Sequence, residues 1–102
     1  MEIIIKDKKI ELRYTVRSMF IFEKLANKVF QPTTLTDLYL FFYSVILAND
    51  SDINLTFNEF IEICDNDFSL FSQFNDWLNK EFLKQNQFVD EKNNDDDDSK
   101  KK

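Results

Sequence analysis

The residues of this chain that most resemble a site for chemistry lie in the stretch DSDINLTFNEFIEICD, residues 50–65. Its acidic and amide side chains alternate as they do in a calcium-binding EF-hand loop, which needs a first oxygen ligand, a central glycine and a final bidentate glutamate. A loop that starts at Asp50 ends on Ile61, and a loop that starts at Ala48 lacks the first ligand. Neither of these two possible loops has a glycine at its centre. We therefore expect no metal site in this stretch, and no cofactor in the chain.

A helix start explains the same residues. In the pattern T-x-x-E, the Thr56 hydroxyl accepts from the backbone N–H of Glu59, while the Glu59 carboxylate accepts from the N–H of Thr56. Leu55 and Phe60 flank this capping box at the spacing of a hydrophobic staple. The stretch thus predicts a polar turn followed by a capped helix.

The other reactive side chains do not form a recognisable catalytic set. Pairs of carboxylates at Glu59 and Glu62, or at Asp65 and Asp67, have no histidine to work with, because the chain contains none. Cys64 falls on the apolar face of its helix and is expected to be a core residue. The chain also contains no glycine, which excludes phosphate-binding loops, dinucleotide fingerprints and nucleophile elbows. We expect a protein that is not an enzyme.

Composition restricts the partners and the environment. A net charge of −6 argues against binding to nucleic acid or to an anionic membrane. A single cysteine excludes an intramolecular disulfide and fits a reducing cytoplasm. The N-terminus does not have the pattern of a signal peptide, and the longest apolar run, residues 38–48, is shorter than the roughly 20 residues that span a bilayer.

The N-terminal sequence MEIIIKDKKIELRYT predicts a β-hairpin. A two-residue turn at Asp7-Lys8 would pair Ile5 with Ile10 and place the apolar residues on one face of the hairpin. Those residues are Met1, Ile3, Ile5, Ile10, Leu12 and Tyr14. Because an isolated hairpin is only marginally stable, it must pack on helices.

Helical periodicity then predicts four helices. They run from about Val16 to Ala26, from a cap at Thr34 or Thr36 to about Ala48, from a cap at Thr56 onward, and from about Phe68 to Gln87. The expected inward face of the first helix is Met19, Phe22, Leu25, Ala26 and Val29. Asn27 follows that helix at the position where a left-handed residue commonly ends a helix.

The predicted fold is a mostly helical α+β domain over residues 1–88, with the hairpin packed on about four helices. Residues 89–102 contain no aromatic or aliphatic side chain except Val89, and we expect a disordered acidic tail that ends in lysines. The second helix is apolar on all sides, which is typical of a helix covered on every side or bound to a partner.

A domain of this size is expected to have difficulty burying all of its apolar helix surface. The surplus predicts either self-association into a homo-oligomer or binding of a hydrophobic helical client. The side chains predicted to bind the partner are Phe41, Tyr43, Leu70 and Trp77.

The order of these elements resembles the tail assembly chaperones of long-tailed bacteriophages. The resemblance covers roughly residues 10–82 and includes the segment FEKLANK, a helix rich in Leu, Tyr and Phe, and a T-x-x-E-F helix start. In FEKLANK, Phe22, Glu23 and Lys28 match the family pattern, whereas Ala26 stands where threonine is common and Asn27 where glycine is common.

The resemblance implies a small, non-enzymatic protein of the host cytoplasm. Chaperones of this family bind the hydrophobic, helical tape measure protein and help to recruit tail-tube subunits. Two alternatives remain open from the sequence: a small phage structural or adaptor protein, and a degenerate EF-hand-like calcium-binding module.

Overall fold

The computed structural model describes the backbone of residues 1–100 and the side chains of residues 1–84. The elements are β1 (Glu2–Ile5), β2 (Lys8–Glu11), α1 (Val16–Ala26), α2 (Leu35–Asn49), α3 (Phe57–Asn66) and α4 (Phe68–Lys100). This confirms the predicted hairpin and four helices. The last helix continues to Lys100, past the end predicted at Gln87. The disordered tail predicted for residues 89–102 falls where no side chains are described, and it stays a prediction.

The hairpin turn lies one residue earlier than the sequence suggested. Lys6 and Asp7 both have positive φ (51° and 63°), as a type I′ turn requires, and Ile5 pairs with Lys8 rather than with Ile10. Asp tolerates the left-handed conformation at the second turn position better than Lys8 would. The pairing is thus shifted by two residues, which leaves every side chain on its predicted face.

The centre of the fold is α2. Six consecutive residues, from Phe41 to Ile46, are buried, so the middle of this helix has no solvent-facing side. It contacts α1, α3, α4 and β2. The expectation that the domain would have difficulty covering this helix is therefore wrong for its middle, which four elements of the same chain cover.

Aromatic rings connect these layers. Phe42 stacks on Phe74 of α4 with a centroid distance of 4.2 Å and meets Phe60 of α3 edge-on at 4.9 Å. Phe41 makes edge-on contacts with Phe22 of α1 and with Tyr14, which follows β2. Each such pair stabilises the fold by roughly 0.5–1.5 kcal/mol beyond the free energy gained by burying the two rings.

The bounds of α1 agree with the prediction, but its inward face is narrower. Phe22 is fully buried and Met19 is partly buried, whereas Leu25 and Val29 are exposed. Ser18, not an apolar residue, fills the first buried position, where its hydroxyl donates to the Thr15 carbonyl. No helix in the part of the chain described here has the length and apolar character needed to cross a membrane.

Asn27 ends α1 in the left-handed conformation, with φ 58° and ψ 44°, as predicted. Replacing Asn27 with Ala should lower the free energy of unfolding by about 1 kcal/mol, because a β-carbon is disfavoured in this conformation. Replacing it with Gly should instead be neutral or stabilising by up to about 1 kcal/mol. Urea unfolding of the two variants measures both effects, and equal stabilities would contradict the assignment.

Candidate functional site, an apolar groove between two helices

An open groove of about 350 Å³ lies between α2 and α3. Its lining residues are Leu35, Thr36, Tyr39, Phe57, Ile61, Cys64 and Asp65, and these are called the α2–α3 groove below. Leu35 is 63% exposed, while Tyr39, Phe57 and Ile61 are partly exposed. The groove therefore presents apolar surface to solvent at a site where two helices meet.

Helical spacing produces the two walls of the groove. Leu35 and Tyr39 are four residues apart on α2, and Phe57, Ile61 and Cys64 follow at intervals of four and three on α3. Residues at these spacings lie on one helix face, so each wall is a single ridge of side chains. The groove is thus a consequence of two ridges that do not fully interlock.

Two capping boxes fix the starts of the walls. Thr34 caps α2 with Asp37, and Thr56 caps α3 with Glu59, as predicted for the second pair. The first helical residue after each cap is apolar and lines the groove: Leu35 in α2 and Phe57 in α3. Each cap is worth about 1 kcal/mol and sets the direction of its helix.

Contacts beneath the groove hold its aromatic rings. The Tyr43 hydroxyl donates a buried 2.6 Å hydrogen bond to the Leu55 carbonyl, and its ring meets Phe57 at 5.5 Å. Tyr39 stacks on Phe71 of α4 with a centroid distance of 4.2 Å. Tyr43 contacts the start of α3, whereas Tyr39, one turn earlier in α2, lies with Cys64 and Asp65 near the end of α3, so the two helices run antiparallel. Burial, and next the charges of Cys64 and Asp65, raise the pKa of Tyr39.

The start of α2 is also tied to the segment that connects α1 and α2. Lys28 Nζ lies 2.5 Å from Asp37 Oδ2, and the same oxygen accepts from the backbone N–H groups of Thr33 and Thr34. The lysine and these donors hold the pKa of Asp37 well below its usual range. Glu23 adds a second tie, because its Oε2 accepts from the Phe30 N–H at 2.6 Å.

The predicted partner-binding residues are mostly core residues. Phe41 is fully buried, and Tyr43 and Leu70 are nearly so, so the folded chain does not present these three side chains to a partner. These side chains belong to the hydrophobic core around α2 instead. Trp77 is partly buried against Phe74, at a centroid distance of 5.6 Å.

The structure instead exposes other apolar side chains, which the sequence analysis did not select. Leu35 has the clearest sequence signal among them, because it directly follows a predicted cap and precedes the apolar run of α2. Periodicity alone did not separate it from the core residues of the same helix.

The stretch with EF-hand-like spacing forms other contacts. Asp50 Oδ2 lies 2.7 Å from Lys8 Nζ, and Glu59 Oε1 accepts from the Thr56 N–H at 2.9 Å and from Lys6 Nζ at 3.3 Å. The hydrogen bond to the Thr56 N–H, followed by that to Lys6, lowers the pKa of Glu59. Among residues 1–84, no three His, Cys, Asp or Glu side chains cluster closely enough to hold a metal ion.

A larger cleft of about 580 Å³ lies between β2 and the end of α2. Several of its polar groups already contact one another: Lys8 pairs with Asp50, and the Asn49 side-chain amide donates to the Arg13 carbonyl at 3.1 Å. A ligand there would have to displace these contacts. The smaller α2–α3 groove is the better candidate because its apolar side chains gain from being covered.

Comparison with known protein families, curated proteins and solved structures finds no match to this chain.

Replacing Asp37 with Asn should lower the urea midpoint of unfolding at pH 6, because the ion pair with Lys28 is lost. The folded-state pKa of Asp37 is depressed, so its stabilisation is complete above the unfolded pKa of about 3.9 and is lost as the pH falls toward the folded pKa. The difference in urea midpoint between wild type and Asp37→Asn should therefore shrink from pH 6 to pH 2.5.

Replacing Lys28 with Met should give a similar loss at pH 6, and replacing Lys24, an exposed lysine of α1, with Met should not. If the difference in urea midpoint between wild type and Asp37→Asn stayed constant over this pH range, the proposed ion pair would be contradicted.

Cys64 should react slowly with iodoacetamide in the folded protein at pH 8. Burial, and next the carboxylates of Asp65 and Asp67, raise its pKa to about 11 from the usual value of 9.0, which reduces the thiolate fraction about a hundredfold. Mass spectrometry of timed samples measures the rate, with guanidinium-unfolded protein as the control. Equal rates in the two states would show that the thiol is accessible.

Proposed function

We propose that this protein is a non-enzymatic tail assembly chaperone of a long-tailed bacteriophage. It acts in the host cytoplasm, where it holds an apolar helical segment of the tape measure protein and helps tail-tube subunits to assemble. The observation that carries the proposal is the α2–α3 groove, whose apolar walls suit the apolar face of a helix.

The size of the groove supports a side-chain-sized contact. A volume of about 350 Å³ accommodates a few large apolar side chains from one face of a helix, not a whole helix. Leu35 at the rim and Ile61 on the opposite wall would contact such side chains from both sides. Covering a Leu side chain contributes roughly 1.5–3 kcal/mol when its burial is complete.

The segment that resembles the phage family supports the proposal independently. Phe22 is a fully buried core residue, Glu23 holds the chain after α1, and Lys28 binds Asp37 at the start of α2. Asn27 adopts the left-handed conformation at the position where the family commonly has glycine. The matching residues thus all serve the α1–α2 connection, which is where a shared fold would constrain a sequence.

The reactive side chains support a non-enzymatic role. The Cys64 thiol is buried with a raised pKa, and the Glu59 carboxylate belongs to a helix cap. Each of these groups has a structural role that its neighbours explain.

Coexpression with the tape measure protein of the same genome tests the proposal. Wild-type protein should increase the soluble fraction of that client, and Leu35→Ser should reduce the gain, because loss of a leucine contact weakens binding about tenfold. Val16→Ser is a matched control, since Val16 is likewise the first residue of its helix after a threonine cap and is 59% exposed.

A client whose solubility does not change with wild-type protein would contradict the chaperone function. A loss caused by Val16→Ser and not by Leu35→Ser would place the binding site on α1.

Mass spectrometry of purified virions tests the adaptor alternative. A chaperone should be absent from the particle, and a stoichiometric amount in it would favour the structural role.

A further inference from the structure

Negative charge is concentrated in the part of the chain that forms the second wall of the groove. Residues 50–79 include α3 and the start of α4, and they contain seven carboxylates and no Lys or Arg. The carboxylates are Asp50, Asp52, Glu59, Glu62, Asp65, Asp67 and Asp76. Two of them pair with lysines of the hairpin, Asp50 with Lys8 and Glu59 with Lys6, and the segment itself has no basic side chain to offset the other five.

One of these carboxylates lines the groove itself. Asp65 belongs to the α3 wall, one turn after Ile61, and its side chain is exposed. Glu62 and Asp67 are also exposed on either side of it in sequence. Among the groove-lining residues that the structure describes, Asp65 is the only charged one, so its charge has no cation beside it in the lining.

The backbone of α3 adds to this negative potential. Unpaired carbonyl groups give a helix C-terminus a partial negative charge, and basic residues in the last turn normally compensate it. The last turn of α3 has no basic residue, and Asp65 lies within it. Asp65 and the C-terminus of α3 are thus two negative sources that have no basic side chain beside them in the last turn of α3.

We infer that the α2–α3 groove binds a basic amphipathic helix, with apolar side chains in the groove and a Lys or Arg beside Asp65. This inference rests on the proposed function and specifies the chemistry of the client segment. Apolar residues at i, i+3 or i+4 and i+7 on the client would meet the ridges of Leu35 and Ile61. A cation on the flank of that face would meet the acidic end of the groove.

Three synthetic helical peptides test the inference. They share one leucine face and differ in flanking residues, which are Lys in the first, Gln in the second and Glu in the third. Fluorescence anisotropy with the full-length protein should show the Lys peptide binding about fivefold more tightly than the Gln peptide at low salt. The Glu peptide should bind most weakly, and 0.5 M NaCl should reduce these differences.

The double variant Glu62→Gln, Asp65→Asn should remove most of the preference for Lys and leave binding of the Gln peptide unchanged. Neither side chain takes part in a helix cap, so the fold should persist, which circular dichroism checks. Glu2→Gln is the charge control, because Glu2 is an exposed residue on β1, outside the groove. It should leave the preference intact.

Equal affinities for the three peptides, with binding lost in Leu35→Ser, would overturn the charge inference and leave the proposed function standing. No binding of any peptide would overturn both the charge inference and the proposed function.

Two other occupants of the groove would also overturn the inference. Self-association that Leu35→Ser abolishes would assign the groove to a second copy, and tighter peptide binding after neutralising the C-terminal lysines would assign it to this chain's own end.

Discussion

The fold depends on one constraint: the middle of α2 is apolar on every side, so it must be covered on every side. Residues from Phe41 to Ile46 are all buried, and α1, α3, α4 and β2 each supply part of the cover. Phe42 illustrates the arrangement, since its ring contacts rings from both α3 and α4. The hairpin and the three other helices are thus arranged around a helix whose length makes it at most marginally stable alone in water.

The candidate groove follows from the way this cover ends. The buried part of α2 begins near Phe41, and the turns before it, with Leu35 and Tyr39, are only partly covered by α3. Two capping boxes and the Lys28–Asp37 pair hold these turns in place, although they are close to solvent. An apolar surface on a fixed framework binds a partner with little loss of conformational entropy, which suits a protein proposed to hold a client.

The charge of the groove and its apolar surface have separate physical roles. Apolar walls provide affinity for any helix with an apolar face, whereas Asp65 and the end of α3 would discriminate among such helices by their charge. The net charge of −6 also disfavours self-association through the exposed apolar surface. One charge distribution would in this way serve both solubility and selectivity.

The sequence by itself determined the elements, since caps, periodicity and turn residues are local. Thr56 with Glu59, the left-handed Asn27 and the bounds of α1 are all confirmed. The apolar pattern did not determine the turn at Lys6-Asp7, which depends on the left-handed conformation of these two residues, and the burial of Phe41 was decided by tertiary structure. Two hairpin pairings put the same side chains inward, and exposure depends on which neighbours cover a helix. For the same reason, only the packing of α3 against α2 revealed Leu35 as a groove residue.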